Sequence, residues 1–302
     1  MAIGRINVSG MNVELFRGAS EIWRYPKGDR IIDIDIDEKG YIYFTCYYDA
    51  VGKLDPNGKK IWIRSMNYHT QIEKLAVDNK GYVYCNVGTY SIGKLDLNSE
   101  TIWGFSFTGK GSNPYIYNVV VDNNYCVYCL ISTEYIVKLD SGGKEIWSYK
   151  GTNSVNRMLT IDNKGYIYFI HFDKGIIKLD SNGNEVLNIS NYYSSNVLTV
   201  DNKGYIYSAN SNGDLIKFNS NGEEIWNCNQ SDEINCISVD NKGYIYLTCS
   251  SKGIVKLDPN GKEIWIYARS KPDIILVDDN YIYLTGEKNI ISKLAKELYI
   301  KK

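Results

Sequence analysis

Short runs of apolar and polar residues alternate along nearly the whole chain, and each run ends at Gly, Asn, Asp or Pro. Residues 239–265 show the repeated motif of this pattern, V-D-N-K-G-Y-I-Y-L-T-C-S-S-K-G-I-V-K-L-D-P-N-G-K-E-I-W, from the end of one apolar run to the next Trp. Alternation with a period of two is typical of β-strands. The turns D-N-K-G and D-P-N-G-K contain residues that bond the local backbone or accept a positive φ. Each unit is therefore predicted to form four strands, which we call a, b, c and d in chain order.

The unit occurs seven times, marked by Y-I-Y in strand b, K-L-D at the end of strand c and a Trp in strand d. The Trp positions are 39 to 44 residues apart, and they hold Trp23, Trp62, Trp103, Trp147, Leu187, Trp226 and Trp265. A four-stranded unit of about 40 residues, repeated four to eight times, is the blade of a β-propeller. We therefore predict an all-β fold, a single seven-bladed β-propeller of four-stranded antiparallel blades. The Trp is expected to be buried on the outermost strand, where the blades splay apart.

The two ends of the chain predict how the ring of blades closes. The last unit ends in K-L-A at 293–295 without a following E-I-W, whereas an isolated S-E-I-W stands at 20–23. We expect this N-terminal segment to supply the outer strand of the last blade, because closure removes free sheet edges. The predicted domains are an N-terminal extension at 1–18 and the propeller at 19–302. Residues 11–16 and 298–302 compete for positions near the last blade, and the sequence does not place both.

The repeated elements resemble those of known propeller families. D-x-N-G-K-E-I-W resembles the PQQ-like repeat of quinoprotein-type propellers, with its G-K-x-x-W signature, and V-D-N-K-G-Y-I-Y resembles NHL repeats and the repeats of virginiamycin B lyase-type propellers. These resemblances imply a propeller over about residues 20–295. Quinoprotein chemistry does not carry over, since no two cysteines are adjacent and the calcium-ligand set is not matched. Lyase chemistry would need a Mg²⁺ site with catalytic His and Glu, and this chain has only His69 and His171.

Charge and composition exclude several classes of partner. Lys and Arg number 34 against 35 Asp and Glu, so a net charge of −1 gives no long-range field to hold nucleic acid or an anionic membrane. No apolar stretch is long enough to span a bilayer, and the N-terminus lacks the apolar core of a secretory signal. We therefore expect a cytoplasmic protein whose seven cysteines are free thiols. Cys126 and Cys129 form C-x-x-C on a strand, where a separation of three puts them on opposite faces and argues against a zinc or redox pair.

The connections between strands predict two unlike faces of the disc. The a–b and c–d turns lie at one edge of an antiparallel blade, and they are nearly identical from unit to unit. The b–c and d–a connections lie at the other edge, and they are variable and rich in aromatic residues. Because binding residues concentrate on variable loops held by a rigid scaffold, we predict a ligand-binding surface formed by Tyr47, Tyr48, Tyr68, His69, Tyr90, Tyr115, Tyr117, Tyr135, His171, Phe172, Tyr192 and Tyr193. The alternative is that these residues only pack the loops against one another.

Three other features are candidate sites. The two histidines come from non-adjacent blades and make a poor zinc set. The aspartates of D-I-D-I-D at 33–37 point to one strand face and could bind a cation or act as acid and base. We favour a structural role for them, with Lys74 paired to Asp33. The lysines of K-L-D are expected to pair with the Asp two places on or to pack through their stems, and the long segment 104–118 is a lid, a partner contact or a plain insertion.

No Ser/His/Asp set, phosphate loop or metal cluster stands out in the sequence. We therefore predict a non-catalytic binding or scaffold module for a carbohydrate or protein partner, with no cofactor, metal, nucleic acid or membrane insertion. Two alternatives stay open. A-I-G-R-I-N-V-S-G at 2–10 is similar to the leader of tail and fibre proteins of phages of Gram-positive bacteria, which implies a tail or baseplate component of a virion. The other alternative is an enzyme of the virginiamycin B lyase type that uses His69 and His171.

Overall fold

A computed structural model shows strands and turns over most of the chain. It describes residues 2–8, 11–16, 20–26, 30–47, 50–66, 72, 74–88, 90–111, 114–132, 134–151, 155–190, 195–210, 212–268, 272–286, 289–296 and 299–301. At both ends, in 2–16 and 299–301, the description is of the backbone alone. Within these ranges no helix has the length and apolar character needed to cross a membrane.

The described residues contain 31 strands. In chain order they are β1 (Ala2–Val8), β2 (Met11–Phe16), β3 (Ser20–Pro26), β4 (Ile31–Ile36), β5 (Ile42–Cys46), β6 (Ala50–Leu54), β7 (Lys60–Ser65), β8 (Leu75–Val77), β9 (Val83–Gly88), β10 (Ser91–Leu95), β11 (Thr101–Ser106), β12 (Ile116–Val121), β13 (Val127–Ile131), β14 (Tyr135–Leu139), β15 (Glu145–Lys150), β16 (Val155–Ile161), β17 (Ile167–His171), β18 (Gly175–Leu179), β19 (Glu185–Ile189), β20 (Ser195–Val200), β21 (Ile206–Asn210), β22 (Asp214–Phe218), β23 (Glu224–Asn229), β24 (Ile234–Val239), β25 (Ile245–Cys249), β26 (Gly253–Leu257), β27 (Glu263–Tyr267), β28 (Pro272–Val277), β29 (Tyr281–Gly286), β30 (Ile290–Ala295) and β31 (Tyr299–Lys301).

Seven four-stranded antiparallel sheets form the blades of a β-propeller, as the repeats predict. Blades 1 to 6 take four consecutive strands each, from β4-β5-β6-β7 to β24-β25-β26-β27, and blade 7 has the order β28-β29-β30-β3. The innermost strands β4, β8, β12, β16, β20, β24 and β28 each contact the next, and β28 contacts β4. The ring is therefore closed, and most of the hydrophobic core lies in the layers between adjacent blades.

The N-terminal segment closes the ring, as predicted. Strand β3 is the outer strand of blade 7, with Trp23 opposite Lys293 in the β3–β30 ladder. The segments expected to compete for this blade do not do so. Strand β2 pairs instead with β31 and β1 in a separate three-stranded sheet, with Leu15 opposite Ile300.

One carboxylate holds the a–b turn of each blade. In blade 6, Asp240 Oδ1 accepts hydrogen bonds from the backbone N–H groups of Lys242 and Tyr244, both at 3.0 Å. Its Oδ2 accepts a hydrogen bond from the hydroxyl of Tyr246 at 3.2 Å. The same arrangement recurs at Asp37, Asp78, Asp122, Asp162, Asp201 and, in a turn one residue shorter, at Asp278. The second Tyr of each Y-I-Y is fully buried, so this bond satisfies a hydroxyl that water does not reach.

The Trp and the Lys of one blade bind the c–d turn of the next. In blade 5, Trp226 Nε1 and Lys217 Nζ both donate to the carbonyl of Pro259 in blade 6, at 3.2 Å each. The same double contact is made by Trp147 and Lys138 to Ser181, and by Trp23 and Lys293 to Pro56. The last of these joins blade 7 to blade 1. The repeated Trp and Lys therefore fix neighbouring blades to each other.

Two expectations about these residues were wrong in detail. The Trp side chains are mostly half-buried, and of the six only Trp265 is buried, at 7% exposed. The rings lie flat on the c–d turn of the next blade, as Trp103 does on Gly143. The K-L-D Asp is not the partner of its Lys, because it caps its own c–d turn, as Asp258 does by accepting from Asn260 and Lys262 N–H. The Lys stem packs as expected, and its ammonium lies over the Y-I-Y rings.

The aspartates of the first inner strand have structural partners in blade 2. Lys74 Nζ lies 3.0 Å from Asp33 Oδ1, which confirms the predicted ion pair. Asp33 Oδ2 accepts from the Leu75 N–H at 3.1 Å, and Asp35 Oδ2 accepts from the Val77 N–H at 2.8 Å. These bonds tie the short strand β8 to β4 across the boundary between blades.

Candidate functional site

The order of the strands gives the propeller two different faces. We call the face made by the a–b and c–d turns the turn face, and the face made by the b–c loops and d–a connections the variable face. On the turn face the side chains of the turn residues are largely used within the chain, by the bonds described above. The variable face has no such repeated pattern, and it is where the predicted binding residues fall.

The predicted aromatic residues divide into three groups. Tyr47, Tyr90 and Phe172 occupy b–c loops of blades 1, 2 and 4 and are 46, 37 and 50% exposed. Tyr115, Tyr117 and Tyr135 are partly buried in blade 3. Five others, Tyr48, Tyr68, His69, Tyr192 and Tyr193, lie outside the described residues, and His171 is considered separately below. Every exposed large aromatic residue in the described part of the chain is therefore on the variable face, whereas the exposed large aliphatic residues, apart from Leu97, lie on outer strands.

The partly buried tyrosines pack with their own blade. The rings of Tyr115 and Tyr117 are 5.3 Å apart, and the Lys150 ammonium lies 5.5 Å from the Tyr135 ring. Within segment 104–118, Lys110 Nζ binds Glu145 Oε1 at 2.6 Å. Phe107 in the same segment is fully buried. For this group the packing alternative fits the contacts better than an open binding surface.

His171 ends strand β17 on the variable face, but it is only 3% exposed. Its Nδ1 accepts a hydrogen bond from the Asp173 N–H at 3.2 Å. Burial lowers the pKa of this imidazole, with the nearby Lys174 ammonium acting in the same direction. His171 therefore shapes its b–c loop as a neutral side chain rather than presenting a ligand to solvent.

Cys126 and Cys129 lie on opposite faces of blade 3, as the sequence predicts. Cys129 is buried against blade 2, whereas Cys126 packs against the core toward blade 4. All seven cysteines are free thiols in the structure, and burial raises the pKa of both Cys126 and Cys129. Among the described residues, no group of three or more His, Cys, Asp or Glu is placed to hold a metal ion.

A cavity of about 450 Å³ opens on the variable face between blades 6, 7 and 1. It lies where the inner strands β4, β24 and β28 begin. Its lining mixes three aliphatic side chains with four polar ones, and the residues are Arg30, Ile31, Ile32, Asn235, Ser250, Asp273 and Ile274. This volume and mixed lining are typical of small binding pockets.

The polar rim of this cavity is organised by blade 6. Asn235 Nδ2 donates to Ser250 Oγ at 3.3 Å, and that hydroxyl donates to Glu233 Oε2 at 3.1 Å. Asp232 Oδ2 accepts from the N–H groups of Ser251 and Lys252, at 2.9 and 2.8 Å. The b–c loop beside the cavity is thus held in place by side chains of the d–a connection before it.

Two further observations connect the cavity to its surroundings. The backbone N–H of Tyr47 donates to the Arg30 carbonyl at 2.9 Å, so the exposed Tyr47 stands next to a lining residue. On the other side, Thr285 lies opposite the ladder irregularity between Pro272 and Ile275, and its buried hydroxyl has no hydrogen-bond partner among the described residues. The sequence pattern did not reveal this cavity, because its residues come from three blades and share no motif.

Comparison with known proteins supports the fold. No protein-family model matches the sequence, and no curated protein matches it. A catalytically inactive histidine-to-alanine variant of virginiamycin B lyase from Staphylococcus aureus, solved with quinupristin, has a TM-score of 0.78 at 15% identity, covering 93% of this chain and 99% of that one. The Cps50 (Swd1) propeller domain of Myceliophteria thermophila gives 0.77 at 9% identity, covering 92% and 99%. BamB from Moraxella catarrhalis gives 0.65 at 14%, covering 98% and 99%.

At these identities the likeness shows the fold alone. The protein is a seven-bladed β-propeller whose structural neighbours include propellers of the virginiamycin B lyase and BamB type. Nothing in the comparisons supports the resemblance of the N-terminal segment to phage tail leaders.

Proposed function

We propose that this propeller is a non-catalytic binding scaffold that recognises a protein partner through the variable face. The observation that carries the proposal is the segregation of exposed aromatic residues onto that face, at Tyr47, Tyr90 and Phe172. Aromatic side chains are enriched in protein interfaces, since they bury a large area with few rotatable bonds. The predicted residues Tyr48, Tyr68, His69, Tyr192 and Tyr193 belong to the same proposal.

The cavity between blades 6, 7 and 1 adds a place for one side chain of the partner. Its lining offers apolar contacts from Ile31 and Ile274 and charged contacts from Arg30 and Asp273. Interfaces of this kind have a buried anchor within a polar rim. Tyr47, which stands beside the cavity, would contact the residues that flank the anchor.

The contrast with the turn face supports the same proposal. There the repeated Asp, Lys and Trp groups already have partners within the chain. A partner binding there would have to compete with bonds that hold the blades together. The variable face can be covered without breaking them.

The experiment compares two matched triple variants. In Tyr47→Ser/Tyr90→Ser/Phe172→Ser the exposed aromatics of the variable face are removed, and in Ile61→Ser/Ile102→Ser/Ile146→Ser similarly exposed residues of the outer strands are removed. In a second part of the experiment, a photo-crosslinking residue replaces Phe172 in one variant and Asn182, on the turn face, in another. Each variant is irradiated in an extract of the source cells. We expect a discrete protein adduct from position 172 only. The purified partner should bind the first variant at least about tenfold more weakly, since several interface aromatics are lost, and the second variant normally.

Three outcomes would contradict the proposal. One is an adduct only from position 182, and another is no adduct from position 172. The third is equal binding by both triple variants. Binding of a glycan array by the wild type, lost in the aromatic variant, would favour the carbohydrate alternative over a protein partner.

No observation favours the other two functions. In the lyase neighbour a histidine variant is described as catalytically inactive, whereas His171 here is buried and bonded within its loop. The alternative of a virion component rests on the N-terminal resemblance, and the fold gives that resemblance no support.

A further inference from the structure

Tyr125 breaks the repeat in the a–b turn of blade 3. Five other a–b turns have Gly at this position, with φ between +78° and +86°, namely Gly40, Gly81, Gly165, Gly204 and Gly243. Tyr125 has the same left-handed backbone, with φ +64°. This conformation is strained for a bulky side chain, and such strain persists where surrounding contacts impose it, often at ligand clamps.

The ring of Tyr125 reaches back over the a–b turn of blade 2. The Lys80 ammonium lies 4.1 Å from the centre of this ring. The Tyr125 hydroxyl donates to Asn79 Oδ1 at 3.2 Å. A cation over the face of an aromatic ring is attracted by the ring quadrupole. These contacts hold the Tyr125 ring over the turn of blade 2, in a place that a turn containing Gly would leave empty.

These residues enclose a cavity of about 360 Å³ on the turn face, between blades 2 and 3. Its lining residues are Lys80, Tyr82, Lys94, Ile102, Tyr125 and Ser141. Lys94 is only 9% exposed, with its ammonium 4.3 Å from the Tyr82 ring. Ile102, which is 52% exposed, contributes an apolar edge. The cavity thus combines two aromatic rings, one aliphatic group and two ammonium groups.

The charged groups around this cavity indicate that its ligand would be an anion. Asp78 Oδ2 lies 3.9 Å from Lys94 Nζ, so two ammonium groups and one carboxylate leave a local charge of +1. Asp78 is already engaged by the Lys80 and Tyr82 N–H groups and by the Tyr84 hydroxyl. Lys80 has no hydrogen bond or ion pair from its ammonium within the described residues. It is therefore the group that a ligand anion would meet.

We propose that this cavity binds a small monoanion in which a carboxylate is attached to a ring. The carboxylate would accept charge-assisted hydrogen bonds from Lys80 and Lys94, and the ring would lie against Tyr82 and Tyr125. The volume is within the range of small-ligand pockets. This site is separate from the proposed partner surface, because it lies on the opposite face of the disc.

Ligand-observed NMR titration at low salt tests the site with two acids and their uncharged counterparts. The probes are benzoate against benzamide, and galacturonate against galactose. We expect at least one acid to bind, about tenfold or more tighter than its uncharged counterpart, since a hydrogen bond to a charged group is worth that much. The acid that binds distinguishes an aromatic acid from an acidic sugar as the source of the carboxylate.

Variants locate the binding. Tyr125→Gly restores the turn found in five other blades and should fold with an unchanged or higher Tm, but lose about tenfold in affinity. Lys80→Ala should lose as much, and Tyr125→Phe, which keeps the ring, should bind nearly normally. Lys164→Ala is the matched control, because Lys164 occupies the equivalent turn in blade 4, where Gly204 follows in blade 5 in place of a Tyr.

Failure of both acids to bind would overturn the proposal. So would equal binding of an acid and its uncharged counterpart, or unchanged affinity in Tyr125→Gly. Because none of these variants alters the variable face, the result is independent of whether the proposed protein partner exists.

Discussion

The turn face and the variable face are built from the same seven sheets, yet they use their polar groups in opposite ways. On the turn face, Asp240 is typical: one carboxylate holds two backbone N–H groups and a buried tyrosine hydroxyl. On the variable face, the side chains of Tyr47, Tyr90 and Phe172 are exposed and take no part in the repeated side-chain contacts of the turn face. Repetition therefore marks the groups that stabilise the ring, and departures from it mark the places where a partner can bind.

The largest effect is expected where a repeated carboxylate also carries a buried ion pair. Lys296 Nζ lies 2.9 Å from Asp240 Oδ2, and both side chains are 4% exposed. Asp240→Ala leaves this ammonium buried without its partner, as well as orphaning the Tyr246 hydroxyl. We expect a loss of about 4 kcal/mol in the free energy of unfolding, measured by chemical denaturation at neutral pH.

Substitutions of two other aspartates separate the contribution of the hydrogen bonds from that of the buried ion pair. Asp162→Ala removes the same turn bonds at a carboxylate that has no lysine within ion-pair distance among the described residues, and should cost about 2–3 kcal/mol. Asp232→Ala removes a cap of two N–H groups on the variable face, and should cost about 1 kcal/mol. If Asp232→Ala destabilises as much as Asp162→Ala, the two faces do not differ in the way described.

The sequence predicted the repeated half of this molecule well. Period-two alternation and a repeat of about 40 residues predicted the number of blades, the strand order and the closing segment at 20–23. The same pattern predicted the Asp33–Lys74 pair and the opposite faces of Cys126 and Cys129. What it did not predict are the repeated contacts that the Trp and Lys side chains make with the next blade. The repeat shows that a Trp stands at the position of Trp103 in most blades. It does not show that the Trp103 ring lies on Gly143 of the next blade, because that contact depends on the rotation between adjacent sheets.

The candidate site was predicted only in part for the same reason. Placing Tyr47, Tyr90 and Phe172 on one face needs only strand order, and the structure gives their exposure. The cavity near Asn235 and Asp273 depends on side chains that are distant in sequence and share no pattern. Tyr125 did carry a signal, because it replaces a Gly that five other a–b turns have, but the sequence does not show which side chains of blade 2 lie around its ring.

A glycine pair tests how tightly the blades are packed on the turn face. Gly143 and Gly165 have nearly the same φ, +84° and +83°. A Cβ on Gly143 would lie 2.7 Å from Trp103 ring atoms, whereas one on Gly165 would meet nothing within 4 Å. Gly165→Ala should cost about 1 kcal/mol from backbone strain alone. Gly143→Ala should cost about 2–3 kcal/mol, because the Trp ring must also move.

Denaturation curves give the two costs, and the Trp fluorescence of the folded state should change only in Gly143→Ala. Equal losses in the two variants would mean that the Trp ring gives way freely. The interblade contact would then contribute little to stability.

The smallest predicted effect concerns Asp35, whose carboxylate on the inner strand of blade 1 has no counterpart at the equivalent position of the other blades. The equivalent positions hold Ala76, Val120, Thr160, Thr199, Ser238 and Leu276. Burial raises the pKa of Asp35 to about 7, against the opposing effect of the N–H groups of Ile36 and Val77, while the charges of Asp33 and Asp37 raise it further. Because the repeated groups are the ones that stabilise the ring, we expect the unrepeated carboxylate of Asp35 not to stabilise the fold at neutral pH.

The direction in which the stability contribution of Asp35 changes with pH follows from proton linkage. Between the unfolded pKa near 4 and the folded value of about 7, the folded chain binds more protons at Asp35 than the unfolded chain, so its contribution to stability falls as the pH rises. Asp35→Asn can still accept from the Val77 N–H but does not ionise. We expect it to match the wild type near pH 4.5 and to exceed it by roughly 1–2 kcal/mol at pH 8, by urea denaturation at each pH. Asp96→Asn is the matched control for the Asp-to-Asn exchange itself, since Asn219 already fills the equivalent turn position in blade 5, and its stability is measured against the wild type at the same pH values. A pH-independent difference for Asp35→Asn would show that this carboxylate is ionised at little cost, and that the inner strand tolerates unrepeated charge.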